Sequence, residues 1–329
     1  MTETRKRSAI SRFVLFLLGL YALLLVIFLV GRLTLRSDWF LLGLGANFTP
    51  YLFGLALIAL LLAALLRAPR MAAIYGLLLL IGALWLAPRL LPPLRLPEAR
   101  GTSLKLVTFN IYPHNQQVEE ALEWLLSQNA DLLMLQEHSG DFASLEAAYP
   151  YARVERSGGS GIFSRYPITE YEEITFGEFV HQRAVIEVAG SPFVLYNLHL
   201  SMPLTEDESV PLPLRYDSTQ RDAQIREVLA RAPEETLPVI LVGDFNMSEY
   251  SPIYDQIRAD YTDAYRAASW GIGATWPGGA SEEWTAPLPR LIRLDYVWHT
   301  AGFQAQNATV GAPLGSDHLP LIVTLDWLP

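Results

Sequence analysis

The sequence predicts a domain of the α/β or α+β class, built on mixed β-sheets, behind an N-terminal unit of three membrane-spanning helices. Three observations predict it. The chain has 329 residues, 51% of them hydrophobic, and no cysteine; that is more than one domain of the usual ~100–200 residues needs. Charge is split along it. Up to residue 100 there are 11 Lys or Arg against 3 Asp or Glu, a net of +8, and beyond it 13 against 31, a net of −18. After residue 103, short apolar runs bounded by Gly, Pro, Asn or Asp outnumber segments with helical spacing, the pattern of strands joined into mixed sheets. Together these exclude a disulfide scaffold, a cysteine-built zinc finger and a disordered chain. The acidic balance also argues against a generic nucleic-acid surface, which wants a basic face, although a metal ion can supply local positive charge.

The spans come first in the chain. Residues 13–31 are 19 positions without a charge, 39–66 are 28 and 71–88 are 18. About 20 apolar residues at 1.5 Å each cross a hydrocarbon core of roughly 30 Å. The second run is longer than it needs to be, so residues 39–50, with Gly43, Gly45 and Asn47, are expected to form an interfacial loop. This gives spans at about 13–33, 51–66 and 71–91, the third extended past a snorkelling Arg89. A cleaved signal peptide would have a shorter apolar stretch and a small-residue cleavage site, which residues 20–30 do not offer; a buried core helix is the alternative for the other two runs. Arg5, Lys6, Arg7, Arg12, Arg67 and Arg70 flank one side of the spans, and Arg32, Arg36, Arg89 and Arg95 the other. That excess puts the N-terminus in the cytoplasm and everything after residue 91 outside the cell membrane. Residues 92–103, with Pro92, Pro93 and Pro97, read as a short stiff linker that keeps the following domain close to the membrane.

From residue 104 to 329 the reading is strand, helix and loop. Runs at 104–109, 132–136, 161–164, 184–188, 193–198, 239–242, 294–298 and 320–325 are predicted strands. Residues 118–128 and 219–231 place Val118, Leu122 and Leu125, then Ile225 and Leu229, at helical spacing. Glu206–Glu208 with Pro211 and Pro213 reads as a surface loop.

Polar residues recur at the C-terminal ends of these strands, the edge where ligands collect in α/β sheets. Asn110 ends one strand, Glu137 follows the next, and His199, Asp244 and Asn246 close two more; Asp295 opens a strand and Asp317-His318 precedes the last. Each has a plain structural alternative. Asn110 suits a turn, Glu137 a solvated strand end and His199 a satisfied core position. Asp244 and Asn246 suit an Asx turn after Gly243, and Asp295 an ion pair with Arg293 or Arg290. Asp and His side by side have no packing advantage, and all these positions can converge on one rim.

In order, the segments are Leu-Val-Thr-Phe-Asn, Leu-Gln-Glu, Gly-Ile-Phe-Ser-Arg-Tyr-Pro-Ile, Asn-Leu-His-Leu, Gly-Asp-Phe-Asn, Arg-Leu-Asp-Tyr-Val and Gly-Ser-Asp-His-Leu-Pro. Over about residues 103–325 this resembles the endonuclease/exonuclease/phosphatase superfamily, which includes pancreatic-type deoxyribonucleases, abasic-site endonucleases, neutral sphingomyelinases and inositol-polyphosphate 5-phosphatases. The motifs are specific for the superfamily and not for the substrate. The resemblance implies a four-layer αββα sandwich of two mixed β-sheets. Three spans ahead of it are similar to a group of bacterial membrane-anchored members.

The resemblance also implies roles. Glu137 becomes the principal ligand of a divalent cation, with Asn110 close by and Asp317 helping; Mg²⁺ or Mn²⁺ suits carboxylate, amide and water oxygens. Asp244 becomes the carboxylate that orients or deprotonates the attacking water, and Asn246 holds the phosphate. His318 becomes the histidine beside the scissile phosphate, Asp295 fixes its tautomer, and His199 matches the second histidine of the deoxyribonucleases and sphingomyelinases. In pancreatic-type nucleases that histidine pairs with a carboxylate from an earlier segment, and residues 158–161, Gly-Gly-Ser-Gly, offer none.

The function expected is a membrane-anchored, metal-dependent hydrolase of phosphoester bonds, acting on lipid headgroups or small phosphoesters. Anchor and acidity disfavour long polyanions, and no basic run tracks a nucleic-acid backbone; Arg215, Arg221 and Arg226 follow the His199 strand, but Arg221 and Gln224 also suit a helix surface. The alternatives are an extracytoplasmic nuclease acting on DNA or RNA and a non-catalytic membrane scaffold. Trp270, Trp276 and Trp284 lie in a Gly- and Pro-rich loop that either rims the pocket and touches lipid or folds over the core.

Overall fold

The computed structural model describes residues 8–35, 40–91, 98, 101–177, 179–206, 214–280 and 285–329. The linker prolines, Arg5, Lys6, Arg7, Arg36, Arg95, residues 207–213 with their two prolines, Trp284 and the side chain of Arg215 lie outside the described part. The chain divides into two compact units, Met1–Leu90 and Leu91–Pro329.

The first unit holds α1 (Ala9–Leu35), α2 (Phe40–Asn47), α3 (Thr49–Leu65) and α4 (Pro69–Leu90). α1 and α4, with 27 and 22 residues, are each long and apolar enough to cross a membrane. The expected middle span is different: Phe40–Asn47, expected in an interfacial loop, form α2, and the α2–α3 pair is bent by 79°, so the described residues hold two candidate spans, or three if the bent pair is one. The break has a local cause. Pro50 falls in the first turn of α3, where a missing N–H costs nothing to the new helix but cannot continue the previous one. Packing within the unit uses small residues and two tyrosines. A Cβ on Gly82 would lie 2.2 Å from the Phe53 ring, and the Tyr75 hydroxyl donates to the Leu18 carbonyl at 2.6 Å. Leu23, Leu61 and Leu84 point outward and are exposed.

The second unit runs β1 (Thr102–Asn110), α5 (Val118–Ser127), β2 (Leu132–Gln136), α6 (Ala143–Ala148), β3 (Tyr151–Glu155), β4 (Ser160–Ser164), β5 (Ile168–Phe176), β6 (Phe179–Val188), β7 (Ser191–His199), β8 (Leu204–Glu206), β9 (Leu214–Tyr216), α7 (Thr219–Arg231), β10 (Val239–Asp244), α8 (Pro252–Ile257), β11 (Thr262–Asp263), α9 (Ala264–Ala268), β12 (Asp295–His299), β13 (Phe303–Val310) and β14 (Leu321–Trp327). One sheet has the order β13-β14-β1-β2-β4-β3 and the other β11-β12-β10-β7-β6-β5, with β8 and β9 as a separate pair. Each large sheet contains one parallel pair, β1 with β2 and β7 with β10, among antiparallel neighbours; both are mixed.

The two sheets face each other across Leu104, Leu106, Leu132 and Met134 from one and Ile186, Leu195, Ile240 and Val297 from the other. Ala121 and Leu125 of α5 and Leu145 of α6 cover the outer face of the first sheet with Val107, Leu133 and Phe163. Ile225 and Val228 of α7 and Ile253 of α8 cover the second with Tyr196, Leu241 and Trp298. The result is helices, sheet, sheet, helices. β3, β5, β8, β9, β11 and β13, together with α6, α8 and α9, add to the elements expected from sequence.

Candidate active site

Strand alternation builds the site. In β1 the side chains of Leu104 and Leu106 enter the inter-sheet core and those of Val107 and Phe109 face α5, so by period two Asn110 points inward at the strand's end. The same count carries β7 from Phe193 and Leu195 to His199, β10 from Ile240 and Val242 to Asp244, and β12 back from Val297 to Asp295. Register then places Asp244 opposite both His199 and Asp295. Four inward positions at adjoining strand ends, Asn110, His199, Asp244 and Asp295, are thus polar.

Glu137 arrives by a different route. Gln136 points inward, so an extended Glu137 would join Leu133 and Leu135 on the outer face. Its φ of 56° turns it back instead. A non-glycine residue in the left-handed region stores about 1–3 kcal/mol of strain and is held there by its surroundings. The turned carboxylate accepts from Asn110 Nδ2 at 2.9 Å and lies 2.9 Å from His199 Nε2. Asn110 Nδ2 also donates to Asp244 Oδ2 at 3.1 Å.

Asp244 is fully buried and is the meeting point. Asn246, itself at φ 47°, donates its backbone N–H to Asp244 Oδ1 at 2.8 Å and its side-chain amide to Oδ2 at 3.1 Å. That amide also donates to the Leu200 carbonyl at 2.8 Å, so Asn246 orients Asp244. On the far side His318 Nε2 lies 3.6 Å from Asp244 Oδ2, while Nδ1 donates to Asp295 Oδ2 at 2.9 Å. Ser316 Oγ donates to the Asn110 carbonyl at 2.7 Å and accepts the His318 N–H at 2.9 Å, tying the last loop to β1.

Environment separates the charges. Burial works against a charged Glu137, but hydrogen bonds from His199 and Asn110 outweigh it and hold the carboxyl down at about 2. Burial pushes Asp244 up to about 6, with the Asp295 charge adding and His318 opposing. Burial disfavours a charged His318, yet the carboxylates of Asp295, Asp244 and Asp317 raise it well above the usual imidazole range. His199 is raised against burial by Glu137.

Asn110, Glu137, His199, Asp244, Asp295 and His318 thus form one connected set, with Asn246 behind it. Asp317 differs from expectation. It acts on His318 through its charge, but it is outside both metal-capable groups found among the described residues. The missing partner of His199 is Glu137 itself, and His181 Nδ1 accepts the His199 backbone N–H at 3.2 Å. Arg293 does not pair with Asp295; it takes Asp263 instead, at 2.8 Å through Nη1. Arg221 is no helix-surface residue. It is 1% exposed and donates to the Asn246 carbonyl at 2.9 Å. Beneath the rim, Gln136 Nε2 donates to Asn197 Oδ1 at 2.6 Å and joins the two sheets. Of the tryptophan loop, Trp270 is exposed, Trp276 is half-buried and bridged to Ile292, and Trp284 is outside the described residues.

The donor set suits a divalent cation. Glu137, His199 and Asp244 offer ligand atoms within 4.8 Å of one another, and so do Asp244, Asp295 and His318. The Glu137 side chain is 25% exposed, which leaves it open to the water ligands such an ion keeps. Among the described residues, Asp295 Oδ1 is buried without a hydrogen-bond partner, an acceptor that nearby positive charge would compensate.

Comparison with family models matches residues 107–318 to the Endonuclease/Exonuclease/phosphatase family. Comparison with curated proteins found no match. Among solved structures, an endonuclease/exonuclease/phosphatase from Bacteroides vulgatus aligns over 69% of this chain and 99% of its own, with TM-score 0.55 and 18% identity. A mannosyl-6-phosphatase from Bacteroides thetaiotaomicron aligns over 68% and 99%, with TM-score 0.52 and 16% identity. The human Nocturnin catalytic domain, solved with a sulfate anion, aligns over 71% and 100%, with TM-score 0.52 and 16% identity. At these identities the likeness is one of fold.

Proposed function

The chain belongs to the endonuclease/exonuclease/phosphatase family, and on that footing we propose that it is a membrane-anchored, divalent-metal-dependent hydrolase of lipid-headgroup or small phosphoesters. Its N-terminus lies in the cytoplasm and its catalytic domain outside. One observation carries the catalytic reading: Asp244 sits between a Glu137–Asn110–His199 group and a His318–Asp295 pair. Glu137 and Asn110 would hold Mg²⁺ or Mn²⁺, which when bound neutralises charge on the non-bridging phosphate oxygens. The protein's own groups supply the proton steps. Asp244, raised toward neutrality, accepts a proton from the attacking water at Oδ2. His318, its Nδ1–H held by Asp295 and its pKa raised, presents Nε2–H to the leaving oxygen. Two groups whose environments push their protonation apart are the signature of a base and an acid in one site.

The substrate class rests on charge. The outer part carries a net of −18, and the nearby guanidinium of Arg221 is buried among Tyr216, Asn246 and Ser251. Long polyanions find little to hold. Purified full-length chain, assayed on bis-p-nitrophenyl phosphate, headgroup-labelled lipid vesicles and plasmid DNA with Mg²⁺ or EDTA, tests the reading. Metal-dependent release from the first two is expected; nicking of DNA in preference to both would make it a nuclease, and no turnover on any would leave a scaffold.

A further inference from the structure

Asp295 and His318 must stay aligned although one ends a strand ladder and the other lies in a loop, tied through Ser316 to β1 but not to β12. Asp295 is the first residue of β12 and forms the last pair of the β10–β12 ladder, opposite Asp244. His318 lies in the loop just before β14. Ends of ladders and loops open most easily, so something else has to set their separation.

Thr275 reaches Asp295 directly and His318 through the next residue, Leu319. It is fully buried, in the loop between α9 and β12. Its Oγ1 accepts the backbone N–H of Leu294 at 3.0 Å and of Asp295 at 3.3 Å, using the two lone pairs a hydroxyl offers. The Leu294 carbonyl in turn accepts the N–H of Phe245, the residue after Asp244, at 3.0 Å. On its other side, the Thr275 carbonyl accepts the N–H of Leu319 at 2.8 Å, and three residues on the Gly278 N–H donates to the Asp317 carbonyl at 2.5 Å. The fit there is close: a Cβ on Gly278 would stand 2.4 Å from the His318 carbonyl and 2.5 Å from that of Ser316.

We propose that Thr275 is a positioning residue for the Asp295–His318 pair, its hydroxyl fixing the Asp295 backbone while its main chain fixes the flank of His318. The inference rests on the catalytic reading of His318, and it deepens that reading by naming what sets the 2.9 Å Nδ1–Oδ2 bond. Thr275→Val keeps the volume and removes both acceptor contacts, whereas Thr275→Ser keeps them.

The experiment uses the full chain in detergent micelles, with bis-p-nitrophenyl phosphate and Mg²⁺ as the probe. Misplacement by about 1 Å can cost on the order of 10²-fold in rate, so Thr275→Val is expected to lower kcat roughly 10- to 100-fold with KM changed by less than about threefold. Thr275→Ser is expected to recover most of that loss. A readout independent of turnover is the far-downfield proton NMR signal of the His318 Nδ1–H, assigned by its loss in His318→Ala and Asp295→Asn. In Thr275→Val it is expected to shift upfield and broaden, and in Thr275→Ser to stay. Should Thr275→Val not fold, Thr275→Cys introduces a weaker acceptor as the sole cysteine of the chain, and an intermediate signal is expected. A folded Thr275→Val, or Thr275→Cys in its place, with wild-type signal and kcat would overturn the proposal. If His318→Ala keeps full turnover, the catalytic reading fails, while the NMR comparison still decides what Thr275 does.

Discussion

Asp244 and Glu137 are carboxylates in one site with opposite fates. Glu137 is partly exposed and receives donors from His199 and Asn110, so it ionises at about 2. Asp244 is buried beside a second carboxylate and rises to about 6. Only ionised Asp244 can take a proton, so kcat/KM for phosphoester hydrolysis is expected to rise as pH increases through about 6. Asp244→Asn is expected to remove that limb and lower kcat by on the order of 10²–10⁴. A limb of unchanged position in the variant would assign it to another group. Glu137 makes a separate prediction for stability. Its folded value lies below the ordinary 4.5, so its stabilisation is complete above about 4.5 and is lost as pH falls toward 2. The urea midpoint of Glu137→Gln is expected to fall less steeply over that window than that of wild type. Most of these groups were legible from sequence because they stand at the ends of apolar runs. The roles of Thr275 and Arg221 were not, since they work through backbone groups 19, 20 and 25 residues on.

Among the elements, β10 bears the tightest constraint. Gly243 has φ 130°, and a Cβ there would lie 2.0 Å from the Leu198 carbonyl of the parallel neighbour β7. The position needs both the conformation and the absence of a side chain. Gly243→Ala is therefore expected to destabilise the domain by more than about 2 kcal/mol, measured by denaturant midpoint, with Asp244 and His199 displaced and turnover lost. The strands with continuous apolar runs, such as β2 and β10, announced themselves. β5 and β13 did not, because each is an edge strand with one wet face: Glu170, Glu172 and Glu173 are exposed or half-exposed on β5, and Gln304, Gln306 and Asn307 interrupt β13. Both also carry a register shift, which breaks the alternation a reader would count. α6, α8 and α9 have only six, six and five residues, too few for a helical period to show.

At the scale of the whole chain, an apolar basic unit precedes an acidic one with the endonuclease/exonuclease/phosphatase fold. A chain without cysteine suits a direct test of topology. Glu119→Cys, at an exposed site on α5, is expected to react with a membrane-impermeant maleimide in intact cells; labelling only after lysis would reverse the orientation. Ligation predicts a further observable. A cation that binds only the folded state raises stability by RT ln(1 + [L]/Kd), so millimolar Mg²⁺ is expected to raise the melting temperature of wild type and not of Glu137→Gln. The bent α2–α3 pair escaped the sequence because hydropathy reports length and not direction, and Pro50 alone did not say how far the axis would swing.

The aim of Asn110, His199, Asp244 and Asp295 depends on counting by twos along their strands, and this limits how the gene can vary in length. Deleting a single codon within β7 or β10 would swing the downstream reactive group to the helix-covered side while leaving composition nearly untouched. Indels in these strands should therefore be absent or come in even numbers, whereas the surface connections can lengthen by any amount.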